Sequence, residues 1–247
     1  MGEPAASALP GRQSGRYWDA AASNWEDEIF SSFHNDRKGV IAAALKAAAD
    51  PQATLADFGC GVGIYLPLLG RLFGRVHGFE QSAACVDVAR RKVRRQRNVS
   101  VHVASRTARR WRGSFDAVLC ANAAIHPRPA MWRGVLQSAH DLLRRQGRLI
   151  LVVPALGSAR LLMRAEAHTG DPSIVVGRDA DGAARVTIDG VATKHYTQPE
   201  LKRELAALGF AGINVRRIEY SWNCHGLRAP KALRGAKPWD WLVTARA

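Results

Sequence analysis

One short stretch constrains this chain more than any other: Leu55-Ala56-Asp57-Phe58-Gly59-Cys60-Gly61-Val62-Gly63-Ile64-Tyr65-Leu66. An apolar run passes through an aspartate and opens into three alternating glycines. An apolar segment of helical character follows, Ile64 to Phe73. That order predicts a strand, a tight turn and the start of a helix. Gly59, Gly61 and Gly63 permit dihedrals closed to other residues and let a ligand lie against bare backbone. A glycine turn after a strand is by itself often only a tight connection. The dinucleotide fingerprint asks for G-x-G-x-x-G. Here the third glycine comes one residue early, Ile64 stands three past Gly61, and Asp57 ahead of the turn is a further departure.

Around this turn, apolar alternation and helical periodicity take turns along the chain. A helix is expected from Gly15, with Trp18, Ala21 or Ala22, Trp25 and Ile29 at three- and four-residue steps. A second covers Lys38 to Ala49 and is stopped by Asp50-Pro51. Strands are predicted at Ala53–Phe58, Arg75–Phe79, Val99–Val103, Phe115–Cys120 and Arg148–Val153. The fourth is almost continuously apolar, as strands of a buried parallel sheet are. Between them lie helices from Ser82 to about Arg97 and from Met131 to Arg145, the latter with Gly147 as its C-terminal glycine. Helices alternating with strands after a glycine turn require right-handed crossovers, and so a parallel sheet with helices on both faces.

The alternation then breaks. Gly157 to Ala167 has helical spacing, and short strands follow at Ile174–Val176 and Arg185–Ile188 around an Asp- and Gly-rich turn, Asp179 to Gly182. Asp189-Gly190 marks a second turn into Val191–Tyr196. A helix at Pro199–Leu208 and strands at Ile213–Trp222 and Asp240–Ala245 close the chain. The expected organisation is a flexible leader at 1–14, a core at 15–153, a β-rich insertion at 154–196 and a C-terminal part of the core at 197–247.

The acid ahead of G-x-G-x-G and the order of elements after it resemble the class I S-adenosylmethionine-dependent methyltransferases, whose first motif reads (D/E)-x-G-x-G-x-G. The resemblance runs from about Tyr17 to the C-terminus, the insertion excepted. It implies an α/β, Rossmann-like, seven-stranded and mostly parallel sheet in the order 3-2-1-4-5-7-6, with the final strand antiparallel and the insertion as a cap. It also implies a sulfonium cofactor, S-adenosylmethionine, bound at the carboxyl ends of the first strands. The backbone of Gly59, Gly61 and Gly63 would border its methionyl and ribose portions, and Asp57 would orient that turn and the ammonium group. Glu80, with Gln81 beside it, ends the second strand, where a carboxylate accepts ribose hydroxyls. The other reading of Glu80 is an ordinary solvated acid at a strand end. Past the third strand the family presents an acid or amide to the adenine. This chain has Ser105 and Arg106 there, able to bond or stack on the ring, or simply to cap the turn. Tyr17, with Trp18 and Trp25, would close over the cofactor, although plain core packing explains the two tryptophans equally.

The fourth strand opens into Ala121-Asn122-Ala123-Ala124-Ile125-His126-Pro127, where the family holds the transferable methyl near its acceptor. Ala121 would border the cofactor, and His126 would serve as a general base, its ordinary pKa lying near neutrality. A packed or capping histidine is the alternative.

Net charge is +15, from 36 basic and 21 acidic residues, which raises a nucleic-acid partner. The cluster Arg90, Arg91, Arg94, Arg95 and Arg97 lies on a helix away from the expected acceptor opening, with no aromatic residues interleaved for base stacking. A small-molecule acceptor is therefore favoured over an RNA or a protein. A module that binds the cofactor without turnover is the remaining alternative. No apolar run approaches the roughly 18 residues a membrane span requires. The four scattered cysteines, none in a Cys-x-x-Cys pair, fit a reducing cytosol and no metal site.

Overall fold

The computed structural model describes residues 18, 19, 22, 30–103, 110–167, 173–178 and 184–247. In chain order these form α1 (Ser32–Asn35), α2 (Val40–Ala48), β1 (Asp50–Phe58), α3 (Leu66–Leu72), β2 (Phe73–Glu80), α4 (Ala83–Val93), β3 (Val99–Val103), β4 (Phe115–Ala121), α5 (Pro129–Leu142) and β5 (Leu143–Pro154). Then come α6 (Leu156–Glu166), β6 (Ile174–Arg178), β7 (Ala184–Ile188), β8 (Val191–Thr193), α7 (Gln198–Ala207), β9 (Ala211–Glu219) and β10 (Trp239–Arg246).

Seven strands make one sheet in the order β3-β2-β1-β4-β5-β10-β9. The first five are mutually parallel, and β10 runs antiparallel to both β5 and β9. This is the expected order 3-2-1-4-5-7-6. Strand order reverses between β1 and β4, so the carboxyl ends of these two strands flank the crevice where α/β sheets bind ligands. Two apolar layers explain why the sheet forms. Leu55, Leu119, Ile150, Val152 and Leu242 face α2, α3 and α4, while Val118, Leu149, Leu151, Val153 and Val243 face α5 and α7. Successive side chains of β4 and β5 point to opposite faces and are buried on both, which is what an uninterrupted apolar run encodes.

Several boundaries differ from expectation: β1 begins at Asp50, β8 ends at Thr193, and three more have a visible cause. The helix after β4 stops at Leu142, and Leu143 already pairs with Phe115; the strand then bulges and re-enters register at Ala117↔Arg148. Gln146 takes φ 66° in that bulge. Gly147 is therefore no helix cap. A Cβ there would come within 2.8 Å of the Arg144 carbonyl oxygen and 3.1 Å of that of Phe115, so close backbone approach demands the glycine. The helix after β2 ends at Val93, which leaves Arg94, Arg95 and Arg97 in the turn beyond it. The strand expected to reach Trp222 ends at Glu219, and Trp222–His225 winds into a 3-10 turn whose indole donates to the Ala236 carbonyl at 3.0 Å.

The insertion leaves and returns at one point. Tyr196 N–H donates to the Pro154 carbonyl at 2.9 Å, and Leu156 N–H to that of Tyr196 at 2.9 Å. Between these ends, α6 packs on the three-stranded antiparallel sheet β6-β7-β8 and on Trp222 and Leu233 of the connection before β10. Buried Glu166 staples the two parts, accepting from Ser173 N (3.0 Å), Ser173 Oγ (2.6 Å) and Ile174 N (2.8 Å). At the β7–β8 turn Asp189 and Gly190 both have positive φ, 49° and 77°, as a two-residue hairpin requires.

Candidate cofactor and acceptor site

The glycine turn sits at the carboxyl end of β1 in the conformation that the spacing predicts. Gly59, Gly61 and Gly63 take φ of 79°, 52° and 76°, all left-handed. A Cβ on Gly59 would fall 2.5 Å from Ala123 Cβ, in the loop after β4. The turn is anchored by its neighbour strand, for Gly59 and Cys60 N–H both donate to the Phe79 carbonyl, at 2.8 and 3.1 Å.

Glu80, the last residue of β2, faces this turn. Its Oε2 accepts Gly61 N–H at 3.0 Å, and its Oε1 accepts Gln81 N–H at 2.7 Å and Ser82 N–H at 2.9 Å. A carboxylate has about four acceptor positions. Three are filled by backbone, and one remains on Oε2. Burial pushes the Glu80 carboxyl above its ordinary range, against the pull of those three hydrogen bonds. The residue is thus a buried structural acceptor and not a solvated strand-end acid. The Gln81 side chain is exposed, and its contribution here is the backbone N–H.

Asp57 lies beneath the turn, 1% exposed, and its Oδ2 is buried with no hydrogen-bond partner. Burial first, and the Glu80 charge second, push its carboxyl up to about 8. An unpartnered buried carboxylate is costly by itself. A cationic group placed against it would relieve both causes. The N-terminal segment approaches the same place from above: Trp18 and Ala22 pack with Val62 and Cys85, and Asp19 accepts the Ser82 hydroxyl at 2.5 Å. Tyr17, Ser105, Arg106 and Trp25 lie outside the described residues.

At the end of β4, Ala121 is half-buried against the layer that carries the glycine turn. His126 Nδ1 accepts Arg128 N–H at 3.0 Å. With Nδ1 accepting, the neutral ring carries its proton on Nε2, so in this arrangement it caps its own loop. Burial, with Arg128 nearby, holds its pKa below the usual histidine value. Tyr196, fully buried, donates its hydroxyl to the Ala124 carbonyl at 2.5 Å and so ties the end of the insertion to this loop.

Sequence reasoning missed a polar cluster beside that loop. Asn122 takes φ 53° and its amide donates to Ser32 Oγ at 2.8 Å; Ser32 Oγ donates to Asp240 Oδ2 at 2.8 Å; Tyr220 OH donates to the same oxygen at 2.8 Å. Four segments contribute: α1, the loop after β4, the end of β9 and the start of β10. Because β10 is antiparallel, its start lies at the sheet edge where β4 and β5 end, with Asp240 opposite Pro154. Asn122 lies in the loop that the sequence placed near the acceptor, and nothing in the sequence singled it out or joined it to Ser32, Tyr220 and Asp240. The basic cluster lies elsewhere: Arg90 donates twice to the Val101 carbonyl, at 3.2 and 2.9 Å, and Arg91, Arg94, Arg95 and Arg97 are exposed. Among the described residues no group of three or more His, Cys, Asp or Glu side chains could hold a metal ion.

Comparison with known proteins adds three findings. Residues 55–147 match a family model described as a methyltransferase domain. A sequence search of curated proteins gives no match. Solved structures are similar over nearly the whole chain. The DhpI–SAH complex has 17% identity and a TM-score of 0.63, with 94% of each chain covered. The Burkholderia thailandensis 1,6-didemethyltoxoflavin-N1-methyltransferase, with bound 1,6-didemethyltoxoflavin and S-adenosylhomocysteine, has 17% identity and a TM-score of 0.60, covering 94% of this chain and 86% of that one. A methyltransferase in complex with the Haloferax volcanii Trm112 methyltransferase activator has 16% identity and a TM-score of 0.60, covering 97% and 99%. At such identities the likeness is one of fold.

Proposed function

We propose that this chain is a class I S-adenosylmethionine-dependent methyltransferase, a reading supported by its methyltransferase domain at 55–147 and its strand order, and that it methylates an oxygen or nitrogen of a small molecule. The observation that carries the cofactor assignment is Asp57, a buried carboxylate with an unpartnered oxygen under a left-handed glycine turn. Its surroundings suit a ligand with cationic groups and a polar body laid against bare backbone. S-adenosylmethionine, when bound, supplies a methyl group already activated on a sulfonium. What remains for the chain is to bind, orient and keep out water.

Asp57 would take the ammonium group, Gly59, Gly61 and Gly63 would let the ligand approach their backbone, and the free acceptor position of Glu80 would take a ribose hydroxyl. The N-terminal segment, with Tyr17, would cover the cofactor, and Ser105 and Arg106 would lie by the adenine. Acceptor choice would fall to the insertion at 154–196, which returns to the carboxyl edge of the sheet beside Tyr220 and Asp240. A small molecule is favoured because the exposed arginines at 91, 94, 95 and 97 lie away from that edge. Among the described residues, no helix is long and apolar enough to cross a membrane. The four cysteines are unpaired, which suits the reducing cytoplasm.

Calorimetry with S-adenosylhomocysteine tests the first step. The parent should bind and Gly61→Val should not, because a branched side chain would stand where the ligand meets backbone. Equal affinity in both would overturn the site. With labelled S-adenosylmethionine, label should pass to small molecules and not to RNA. RNA methylation that falls steeply with salt, and with Gln at 91, 94, 95 and 97, would instead establish a polymer substrate.

A further inference from the structure

Ser32, Asn122, Tyr220 and Asp240 are separated by as many as 208 residues, yet three 2.8 Å hydrogen bonds join them at the carboxyl edge of the sheet. The way those bonds are distributed is informative. Both hydroxyls donate to Asp240 Oδ2, and neither touches Oδ1. Asn122 uses its amide N–H on Ser32, and its Oδ1 is buried without a partner. Leaving a buried acceptor unmade costs about 1–3 kcal/mol, and Asn122 also holds left-handed backbone. A cluster built only for stability would close these valences or be apolar. Among the described residues, two oxygens of this cluster have no donor, Asn122 Oδ1, which is fully buried, and Asp240 Oδ1. Rings lie around it: Phe30 packs edge-on to Tyr220 at 5.0 Å and stacks on His225 at 4.8 Å, and Phe33 meets Tyr65 edge-on at 5.0 Å.

We propose that Asn122 and Asp240 are the recognition and proton-accepting pair for the methyl acceptor, which is a neutral, flat ring compound bearing an N–H or O–H nucleophile. The proposal rests on the methyltransferase reading above. Asn122 Oδ1 accepts a hydrogen bond from the ring compound and orients it. Asp240 Oδ1 takes the proton of the nucleophile as its lone pair bonds the methyl carbon. The sulfur–methyl bond breaks with its electron pair kept by sulfur, and Asp240 later returns the proton to water. Ser32 and Tyr220 hold Asp240 in place through Oδ2.

The electrostatics agree with this role. Burial pushes the Asp240 carboxyl up to about 6, and the two hydroxyl donors limit the rise, so it is ionised at neutral pH yet a better base than a surface aspartate. Burial first, and nearby charge including that of Asp240 second, keep Tyr65 and Tyr220 protonated. Asp36 and Asp57 also act on Tyr65 from α1's end and from β1. Among the described residues, Asp240's hydrogen-bond partners are two hydroxyls and it has no ion-pair partner.

The test uses the full chain saturated with S-adenosylhomocysteine. Phenol and 2-pyridone are titrated by NMR beside their methylated counterparts, anisole and N-methyl-2-pyridone. The parent should favour each donor by about fivefold or more, the worth of one or two hydrogen bonds. Asn122→Gly, which tolerates the backbone angle, and Asp240→Asn should each shrink that preference to about twofold or less, with S-adenosylhomocysteine affinity retained. Lys92→Gln, at an exposed residue of α4, should keep the preference. No preference in the parent, including no binding of any probe, overturns the proposal. So does a preference that survives in both variants. A parent that does not bind S-adenosylhomocysteine fails the methyltransferase reading instead, and is seen before any ring compound is added.

Discussion

Replacing Asp57 by asparagine separates the cost of this carboxylate from its use. In the folded chain the group titrates at about 8, against 3.8 for an ordinary aspartate. The native state therefore binds more protons than the unfolded state between these values, and stability falls as pH rises from 3.8 towards 8, then levels. At pH 7 the span is about 3 pH units at 1.36 kcal/mol each, or about 4 kcal/mol of destabilisation. Asp57→Asn removes that contribution and keeps the shape, although the new N–H₂ wants an acceptor, a loss of about 1–2 kcal/mol. The apo variant should be more stable than the parent by about 2–3 kcal/mol at pH 7, equivalent to a Tm about 4–12 °C higher for a chain of this size. The gain should shrink to nothing, or reverse, near pH 4. Denaturant unfolding of both proteins from pH 4 to 8 measures this. A cation delivered by S-adenosylmethionine should also expel the Asp57 proton. Calorimetry at pH 7 in buffers of different ionisation heat should therefore record proton release in the parent. Asp57→Asn should show none, and weaker binding. A variant no more stable than the parent at pH 7, together with equal proton release, would refute the account of Asp57 as a carboxylate awaiting a cation.

Three other outcomes follow from the same geometry. Gly59→Ala adds a Cβ 2.5 Å from Ala123 Cβ at φ 79°, so it should lose about 2–5 kcal/mol of stability in denaturant unfolding, from backbone strain plus overpacking. Glu80→Gln cannot accept all three backbone N–H groups, since only one amide atom accepts; it should cost about 1–3 kcal/mol and weaken S-adenosylhomocysteine binding measured by calorimetry. His126→Asn should keep methyl transfer near the parent rate and lower Tm, through loss of the bond it accepts from Arg128 N–H; a loss of about 10²–10⁴-fold with the acidic limb of the pH profile gone would instead make the ring the base.

What the sequence determined by itself is the architecture and the conformation of the glycine turn with Glu80 beside it. The alternation of apolar runs and helical stripes, with an acid ahead of three alternating glycines, led to the seven-stranded order, the position of the turn and the placing of Glu80 at the end of β2. Those features are local: period-two burial, left-handed glycines and a strand's last residue are written within a few neighbours. Even the insertion showed itself through Asp189-Gly190, whose two positive φ values only a few residue types tolerate. Boundaries were less legible where tertiary contacts override local preference. Leu143 leaves its helix because Phe115 offers a strand partner, and Gly147 is glycine because two carbonyls crowd it.

Only the tertiary structure assembled the polar cluster proposed for the acceptor. Ser32, Asn122, Tyr220 and Asp240 carry no shared spacing, and they meet because the antiparallel β10 brings its first residues to the edge where β4, β5 and β9 end. His126 stood out in the sequence for its residue type and place, yet one backbone N–H occupies the nitrogen that a base would need. Asp57 likewise looked like an ordinary motif acid, and its raised pKa comes from the layers packed over it and from Glu80. Burial and hydrogen-bond occupancy are properties of packing between distant segments, so they assign chemical roles that residue identity leaves open.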